Sequence, residues 1–284
     1  MFRSSAWLLI ALCLGATTLL ASGASGAPGP TATLLAVGDI ASCEVENDER
    51  VAALVARTPG TLALLGDIAY ESGTPDEFAR CFMPAWARFL PRTRAALGNH
   101  EYANGESDAS TARAILRIPA DAWYSFELGA WHVIVLDSNC AEAGGCKPGT
   151  RQWLWLRRDL RQHRGARCTL ALWHHPRFSS GLHGSDTTLA PFWTLLAAAR
   201  ADVVLSGHDH DYERFAPIAG IRSFVVGTGG RGLRSFQEID PRSVARQAHS
   251  FGILRLTLRP RSYGWRFLTA AGPGYVDAGS AACR

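Results

Sequence analysis

The run Gly207-His208-Asp209-His210 sets two imidazoles one residue apart, and four earlier runs supply donors of a similar kind. In chain order these are Gly38-Asp39, Gly66-Asp67-Ile68-Ala69-Tyr70, Gly98-Asn99-His100-Glu101 and Trp173-His174. Carboxylate, phenol, amide and imidazole together span the preferences of hard and borderline cations. Two Asp, one Tyr, one Asn and several His suit two adjacent metal ions. A single Gly-Asp pair is more often a strand-ending turn. The ordered set of five carries the reading.

The donors divide by charge. Asp67, central in the series, is expected to bridge, giving one oxygen to each ion. Asp39, Tyr70 and His210 join it at the first ion; Asn99, His174 and His208 join it at the second. A phenol with an ordinary pKa of about 10 ionises near neutrality only beside a strong Lewis acid. Fe(III) is therefore expected at the Tyr70 site. The neutral amide and imidazoles of the second site favour divalent Zn, Fe or Mn. Two ions roughly 3.5–4 Å apart can clamp an in-line displacement at phosphorus and acidify a bound water. His100, beside Asn99, is placed to stabilise the transition state or protonate the leaving oxygen. The expected substrates are small phosphate esters, attacked by metal-bound hydroxide.

These residues need strands to carry them. Four of the five runs follow apolar, strand-like stretches, and the third follows a shorter one. Strands are expected at 33–37, 61–65, 93–97, 169–173, 203–206, 223–226, 252–258 and 263–269, with a hairpin over 123–128 and 131–136. Helices are expected at 47–57, 75–90, 150–163 and 188–200. Trp153, Leu156 and Leu160 line one face of the third helix at helical spacing. The order predicts an α/β protein with a largely buried sheet core and its donors just past strand C-termini, where open α/β sheets present ligand-binding loops. Gly38, Gly66, Gly98 and Gly207 are expected to supply the sharp bends.

The 284-residue chain carries nine Trp, 47% apolar residues and a formal charge of +4. Such a composition belongs to a globular protein. The modest charge helps attract anions, and no basic run suggests nucleic-acid binding. Residues 1–27 read as a secretory signal peptide and leader: Arg3, an apolar core over 6–20, then small residues allowing cleavage after Ala24 or Ala27. A retained anchor is the alternative, disfavoured because a spanning helix needs about 20 apolar residues. Residues 31–284 then form one catalytic domain, secreted and without a stable membrane span. Removing Cys13 leaves six cysteines, an even number that suits disulfides in an exported chain. Six cysteines allow 15 pairings; the favoured one joins Cys140–Cys146 across the Gly144-Gly145 turn, Cys43–Cys81, and Cys168–Cys283.

From Ala36 to Gly230 the chain resembles the purple acid phosphatase branch of the calcineurin-like metallophosphoesterases. The matching motifs are Asp39, Asp67-x-x-Tyr70, Asn99-His100-Glu101, Ala171-Leu172-Trp173-His174 and Gly207-His208-Asp209-His210, extended by Asp211-Tyr212-Glu213-Arg214. The resemblance implies a single-domain sandwich of two central mixed β-sheets flanked by helices, and the same ligand assignment. Most of the superfamily has Asp-x-His in the first motif. Here Asp39-Ile40-Ala41 lacks that His, and Tyr70 fills the vacancy, as in the purple enzymes. Ala41 stands where Gly is usual and Ala171 where Val is usual. The family also places histidines near the phosphate after the His174 segment. His183 is expected in that role, against an ordinary exposed loop histidine, and His175 is expected to support the loop.

Trp153, Trp155 and Trp193 read as packing residues, and Gly227-Thr228-Gly229-Gly230 as a tight loop without the Lys-Ser/Thr of a P-loop. His132, His163 and His249 lie outside the pattern, and Arg157, Arg158, Arg161 and Arg164 read as a solvated helix face. The functional expectation is a secreted acid phosphatase-like monoesterase. The alternatives are a phosphodiesterase acting on nucleotides or phospholipids, and a non-catalytic phosphate- or partner-binding protein.

Overall fold

Leu34 and Ala36 face one apolar core while Leu35 and Val37 face another, because successive strand side chains point to opposite sides of a sheet. The computed structural model describes residues 1–2, 30–45, 47–103, 105 and 109–284. Apart from Met1 and Phe2, the signal and leader expected at 1–27 lie outside the described residues. In chain order the strands are β1 (Ala32–Val37), β2 (Ala41–Ser42), β3 (Thr61–Leu65), β4 (Ala69–Tyr70), β5 (Thr93–Ala96), β6 (Tyr124–Leu128), β7 (Trp131–Val135), β8 (Cys168–Leu172), β9 (Val203–Ser206), β10 (Tyr212–Phe215), β11 (Arg222–Val226), β12 (Ser243–Gln247), β13 (Phe251–Arg259), β14 (Ser262–Ala271) and β15 (Ala278–Ala282).

Two mixed sheets stack face to face. One has the order β15-β14-β13-β1-β3-β5, the other β12-β10-β11-β9-β8-β7-β6; β2 and β4 pair as a short third sheet. The strands β1, β3 and β5 run parallel, as do β7, β8, β9 and β11. Between the large sheets, Leu34, Leu65 and Leu256 pack with Val133, Leu170 and Leu205. Outside the first sheet, Leu35 and Leu64 meet Val51 and Val55 of the helix Asn47–Arg57. Outside the second, Ala171 and Val204 meet Leu156 of Arg151–Gln162 and Phe192 and Leu196 of Ala190–Ala198. The layers are helix, sheet, sheet, helix. Burial on both faces explains why β1, β3, β8 and β9 read as continuous apolar runs. Each fully buried aliphatic side chain contributes about 1.5–3 kcal/mol.

The helix expected at 75–90 is not continuous. It begins with a Thr74–Glu77 capping box, passes through a π-turn at Phe78–Phe82, returns to α over Met83–Trp86 and ends as 3-10 over Ala87–Arg92. Pro84 has no N–H to offer the Arg80 carbonyl and its ring crowds that turn. The ladder widens just before it, with Met83 N–H donating to the Phe78 carbonyl. β10 escapes the pattern because Glu213 and Arg214 interrupt it; Glu213 accepts from Ser180, and Arg214 pairs with Asp277 at 2.7 Å. β15, Ala-Gly-Ser-Ala-Ala, has no apolar alternation to read.

The bridges Cys43–Cys81, Cys140–Cys146 and Cys168–Cys283 are formed, with Cα–Cα separations of 4.9, 5.2 and 5.4 Å. Among the described residues no helix is long and apolar enough to cross a membrane.

Candidate metal centre

Asp39, Asp67 and His208 all adopt left-handed backbone conformations, with φ of 61°, 51° and 71°. Such angles are uncommon for non-glycine residues and cluster at functional sites. The expected division of labour is thus reversed at two of the four runs, Gly38-Asp39 and Gly207-His208, and shared between glycine and donor at Gly66-Asp67. The bend falls on the donor itself, while the preceding glycine gives room. A Cβ on Gly98 would strike the Asp67 carboxylate and backbone N, and one on Gly207 would lie 2.6 Å from Asp39 Oδ2. Only Gly66, at φ +86°, bends with positive φ as expected.

The loops following β1, β3 and β5 bring Asp39, Asp67, Tyr70 and Asn99 to the C-terminal edge of one sheet. The loops following β8 and β9 bring His174, His208 and His210 to the matching edge of the other. The Gly227–Gly230 stretch joins the two edges: Gly38 N–H donates to the Val226 carbonyl at 2.9 Å, and Gly229 N–H to the Gly38 carbonyl at 2.9 Å.

Tyr70 Oη lies 3.1 Å from Asp39 Oδ1, 3.1 Å from Asp67 Oδ2 and 3.3 Å from His210 Nε2. His174 Nε2 lies 3.2 Å from both Asn99 Oδ1 and Asp67 Oδ2, and 3.1 Å from His208 Nδ1. Asp67 therefore faces both groups through the single oxygen Oδ2. Its Oδ1 accepts the His100 N–H at 3.1 Å, so the contact between the two halves does not use one oxygen for each.

Electrostatics bind this set together. Burial pushes the Asp39 carboxyl well above the usual range, with His174 opposing. Burial would raise Asp67 too, but the His174 imidazole overrides it and holds that carboxyl far below the ordinary range. Burial lowers and Asp67 raises His174, which ends at about 10. Burial, then the charge of His174, drives His208 strongly down. Burial also brings His210 down to about 4, against the Gly232 carbonyl. Burial, Asp39 and Asp67 push the Tyr70 phenol far up.

This donor set is short of positive charge. His174 Nδ1 bonds the Leu65 carbonyl at 2.7 Å and His210 Nδ1 the Gly232 carbonyl at 2.9 Å. With one ring proton committed to each carbonyl, both Nε2 atoms face inward, where His174, raised to about 10, needs a proton or a cation on that side. His174 Nε2 then confronts His208 Nδ1 lone pair to lone pair, unless a proton or a cation lies between. Two buried carboxylates and a phenol on the other side make the same demand. The residues fit a pair of cations, the oxygen-rich half suiting a hard ion and the imidazole-rich half a divalent one.

The remaining histidines frame the mouth. The His100 ring lies 4.4 Å from Tyr70, with Nε2 3.7 Å from Asp67. His183 is exposed, its ring 4.3 Å from His208 and its Nε2 3.1 Å from Arg234. His175 donates its backbone N–H to Ser138, and its ring lies tilted 4.4 Å from that of His208; its ring nitrogen also comes within 4.8 Å of the His174 and His208 donors. His132 and His163 stack on each other over Asp159, at the hairpin edge of the second sheet.

Sequence reasoning gave no role to Glu101, Asp209 or Arg231. Buried Glu101 accepts N–H groups from Asp67, Ile68 and Gly98 at 2.9, 2.7 and 2.7 Å, tying the β3 and β5 loops together. Asp209 accepts the Ser179 hydroxyl and the His183 N–H, holding the His183 loop. Both sit inside the quoted motifs, and that was their only signal. Arg231 lies 5.2 Å over the Tyr70 ring and pairs with Glu71; nothing in its neighbourhood of sequence marks it.

The sequence profile of the calcineurin-like phosphoesterases matches residues 32–212. Purple acid phosphatase 15 of Arabidopsis thaliana is 24% identical over 258 residues, covering 75% of this chain and 47% of its own length. The phosphoenolpyruvate phosphatase of Allium cepa is 27% identical over 256 residues, covering 72% and 51%. The chain thus spans about half the length of these curated relatives. Among solved structures, the purple acid phosphatase PPD1 of yellow lupin seeds superposes with a TM-score of 0.71 at 19% identity, over 88% of this chain and 53% of that one. GAP50, the anchor in the inner membrane complex of Plasmodium, reaches 0.72 at 14% identity, over 89% of each chain. At these identities the structural likenesses speak for the fold alone.

Proposed function

The chain belongs to the calcineurin-like phosphoesterase family, and on that premise we propose that it is a secreted dinuclear-metal phosphatase of the purple acid type, acting on small phosphate monoesters. The observation that carries this reading is the convergence of Asp39, Tyr70 and His210 with Asn99, His174 and His208 around Asp67 Oδ2. In the proposed assignment the first three hold Fe(III), the next three hold Zn, Fe or Mn in the divalent state, and Asp67 is common to both. When bound, the ions supply Lewis acidity and an acidified water for in-line displacement at phosphorus.

The chain's own residues do the rest. Leu65 and Gly232 carbonyls fix the imidazole tautomers of His174 and His210. His100 stands at the open side of Asp67 and Tyr70, with its Nδ1 held by the Glu71 carbonyl; its Nε2 is the proton donor to the leaving oxygen. His183, steadied by Asp209 and Arg234, meets the phosphate from the His208 side. Arg234 brings positive charge to the mouth, which favours a monoester dianion over a singly charged diester. The onion relative is named for a monoester as well.

Natively exported, metal-loaded protein should hydrolyse an aryl monophosphate far faster than a bis-aryl phosphate. Turnover of the diester alone would remove the monoesterase reading. The same fold serves as an anchor in Plasmodium, so fold does not decide chemistry; metal-free, inert exported protein would instead favour a binding role.

A further inference from the structure

Arg164, Arg167, Arg200, Arg261 and Arg284 line one concavity of about 410 Å³. All five are exposed, and they come from four separate stretches of chain: the turn before β8, the turn before β9, the β13–β14 hairpin, and the segment after β15. Among the described residues, Arg164, Arg167, Arg200 and Arg261 make no ion pair. The carboxylate beneath them, Asp202, is buried and spends both oxygens on backbone, accepting Thr169 N–H at 2.9 Å and Arg284 N–H at 2.8 Å. One carboxylate so engaged leaves the concavity strongly positive.

The walls are fixed rather than floppy. Arg167 precedes Cys168 and Arg284 follows Cys283, so the Cys168–Cys283 bridge sets two of the arginines side by side. Cys283 N–H donates to the Arg261 carbonyl at 2.9 Å, which brings in a third. The Arg284 guanidinium donates to the Ala219 and Ala201 carbonyls at 2.8 and 3.0 Å, in space open only because Gly220 has no side chain. Arg200 sits at φ 62°, a left-handed angle rare outside glycine. Solvated surface arginines have no reason to converge, since like charges brought together repel. Here covalent and hydrogen-bonded constraints hold the Arg167, Arg261 and Arg284 stretches together.

We propose that this concavity is a binding site for a compact polyanion carrying several linked phosphate groups, of the di- or triphosphate type. Guanidinium forks match phosphate oxygens bidentately, and several converging forks reward a ligand with several charges close together. The site is separate from the metal centre. Arg167 and Arg200 precede the N-terminal ends of β8 and β9, whereas His174 and His208 follow their C-terminal ends. A five-residue strand such as β8 puts roughly 17 Å between them, at about 3.4 Å per residue. A ligand held there leaves the catalytic mouth open at the opposite edge, so the site retains or senses polyphosphate without consuming it.

The test is titration calorimetry on the metal-loaded protein with a methylene-bridged triphosphate, which cannot be hydrolysed, at fixed ionic strength. The wild type should bind it at a site that survives occupation of the metal centre by orthophosphate. The triple variant R164S/R167S/R261S should bind at least about tenfold more weakly at that site, with aryl-phosphate turnover within about twofold of wild type. Sulfate and orthophosphate should bind there at least about tenfold more weakly than the triphosphate. Should the triple variant misfold, Arg167→Lys keeps the charge and loses the fork, and should weaken binding about threefold. Unchanged affinity in the variants, sulfate binding as tightly as triphosphate, or binding to phosphatidylglycerol vesicles in place of triphosphate would each overturn the assignment.

Discussion

With Asp39 and Asp67 both 3.1 Å from its hydroxyl, Tyr70 cannot lose its proton unless a cation offsets two carboxylates. Its ionisation therefore reports directly on what binds there. The oxidised, metal-loaded protein should absorb visible light by charge transfer from phenolate to Fe(III). Tyr70→Phe should abolish the band while leaving the fold intact; persistence of the band in the variant would take Tyr70 out of the site. His100 asks a different question. It touches Asp67 through its backbone N–H and the mouth through its ring, so His100→Ala should keep both ions by elemental analysis and lose about 10²–10⁴ in kcat. Near-normal turnover would remove it from proton transfer. Glu101 shows why some of this was hidden. Its three accepted N–H groups position the β3 and β5 loops, yet a buried glutamate in a motif looks the same in sequence whether it meets a metal, a substrate or the backbone.

Among the elements, the hairpin β6–β7 is pinned to the helix Arg151–Gln162 by one charged contact. His132 Nε2 lies 2.6 Å from Asp159 Oδ2, and Nδ1 lies 2.9 Å from Glu127 Oε1. Burial alone would lower His132, but Asp159 and Glu127 outweigh it and raise it above the ordinary value. Burial would raise Asp159, but His132 and Ser125 hold it below the ordinary value. A raised histidine contributes stability fully below its unfolded pKa of about 6.5 and loses it as pH climbs through the folded value. A depressed aspartate contributes fully above about 3.9 and loses it as pH falls through the folded value. The pair is therefore fully effective between roughly pH 4 and 6.5. His132→Asn, which removes the imidazole bonded to Asp159 at 2.6 Å, should cost about 3 kcal/mol in urea unfolding at pH 5.5 and distinctly less at pH 9. An equal cost at both would mean that the histidine is neutral when folded. Strands buried on both faces were legible as apolar runs, and the helix at Arg151–Gln162 from the helical spacing of Trp153, Leu156 and Leu160. What escaped was what other segments had to satisfy: β10 with its paired Glu213 and Arg214, the proline-widened turn at Phe78–Phe82, and the featureless β15.

At the level of the whole molecule, the linear order of motifs revealed which residues could assemble, since each follows a strand of one sandwich. It did not reveal that the two large sheets each provide part of the set, because sheet membership is decided by pairings such as β1 with β13 and β11 with β9, far apart or unmarked in sequence. The glycine run after β11 read as a tight loop, but not as the seam between sheets. Ions bound only by the folded state stabilise it by mass action, by about 2.7 kcal/mol at a free concentration one hundred times Kd. Exhaustive chelation should accordingly lower the melting temperature, and restoring Fe(III) with Zn should return it. A melting temperature indifferent to metal would argue against a site shared by the two sheets.

The seam between the sheets makes the chemistry a gauge of their alignment. Asp39, Asp67, Tyr70 and Asn99 ride on one slab and His174, His208 and His210 on the other, so a slip of about an ångström between slabs spoils the cluster long before either slab unravels. On warming, turnover should fade ahead of the loss of circular dichroism. Polypeptide cut between β5 and β6 should yield two halves, each inert alone, that recover activity only when they dock.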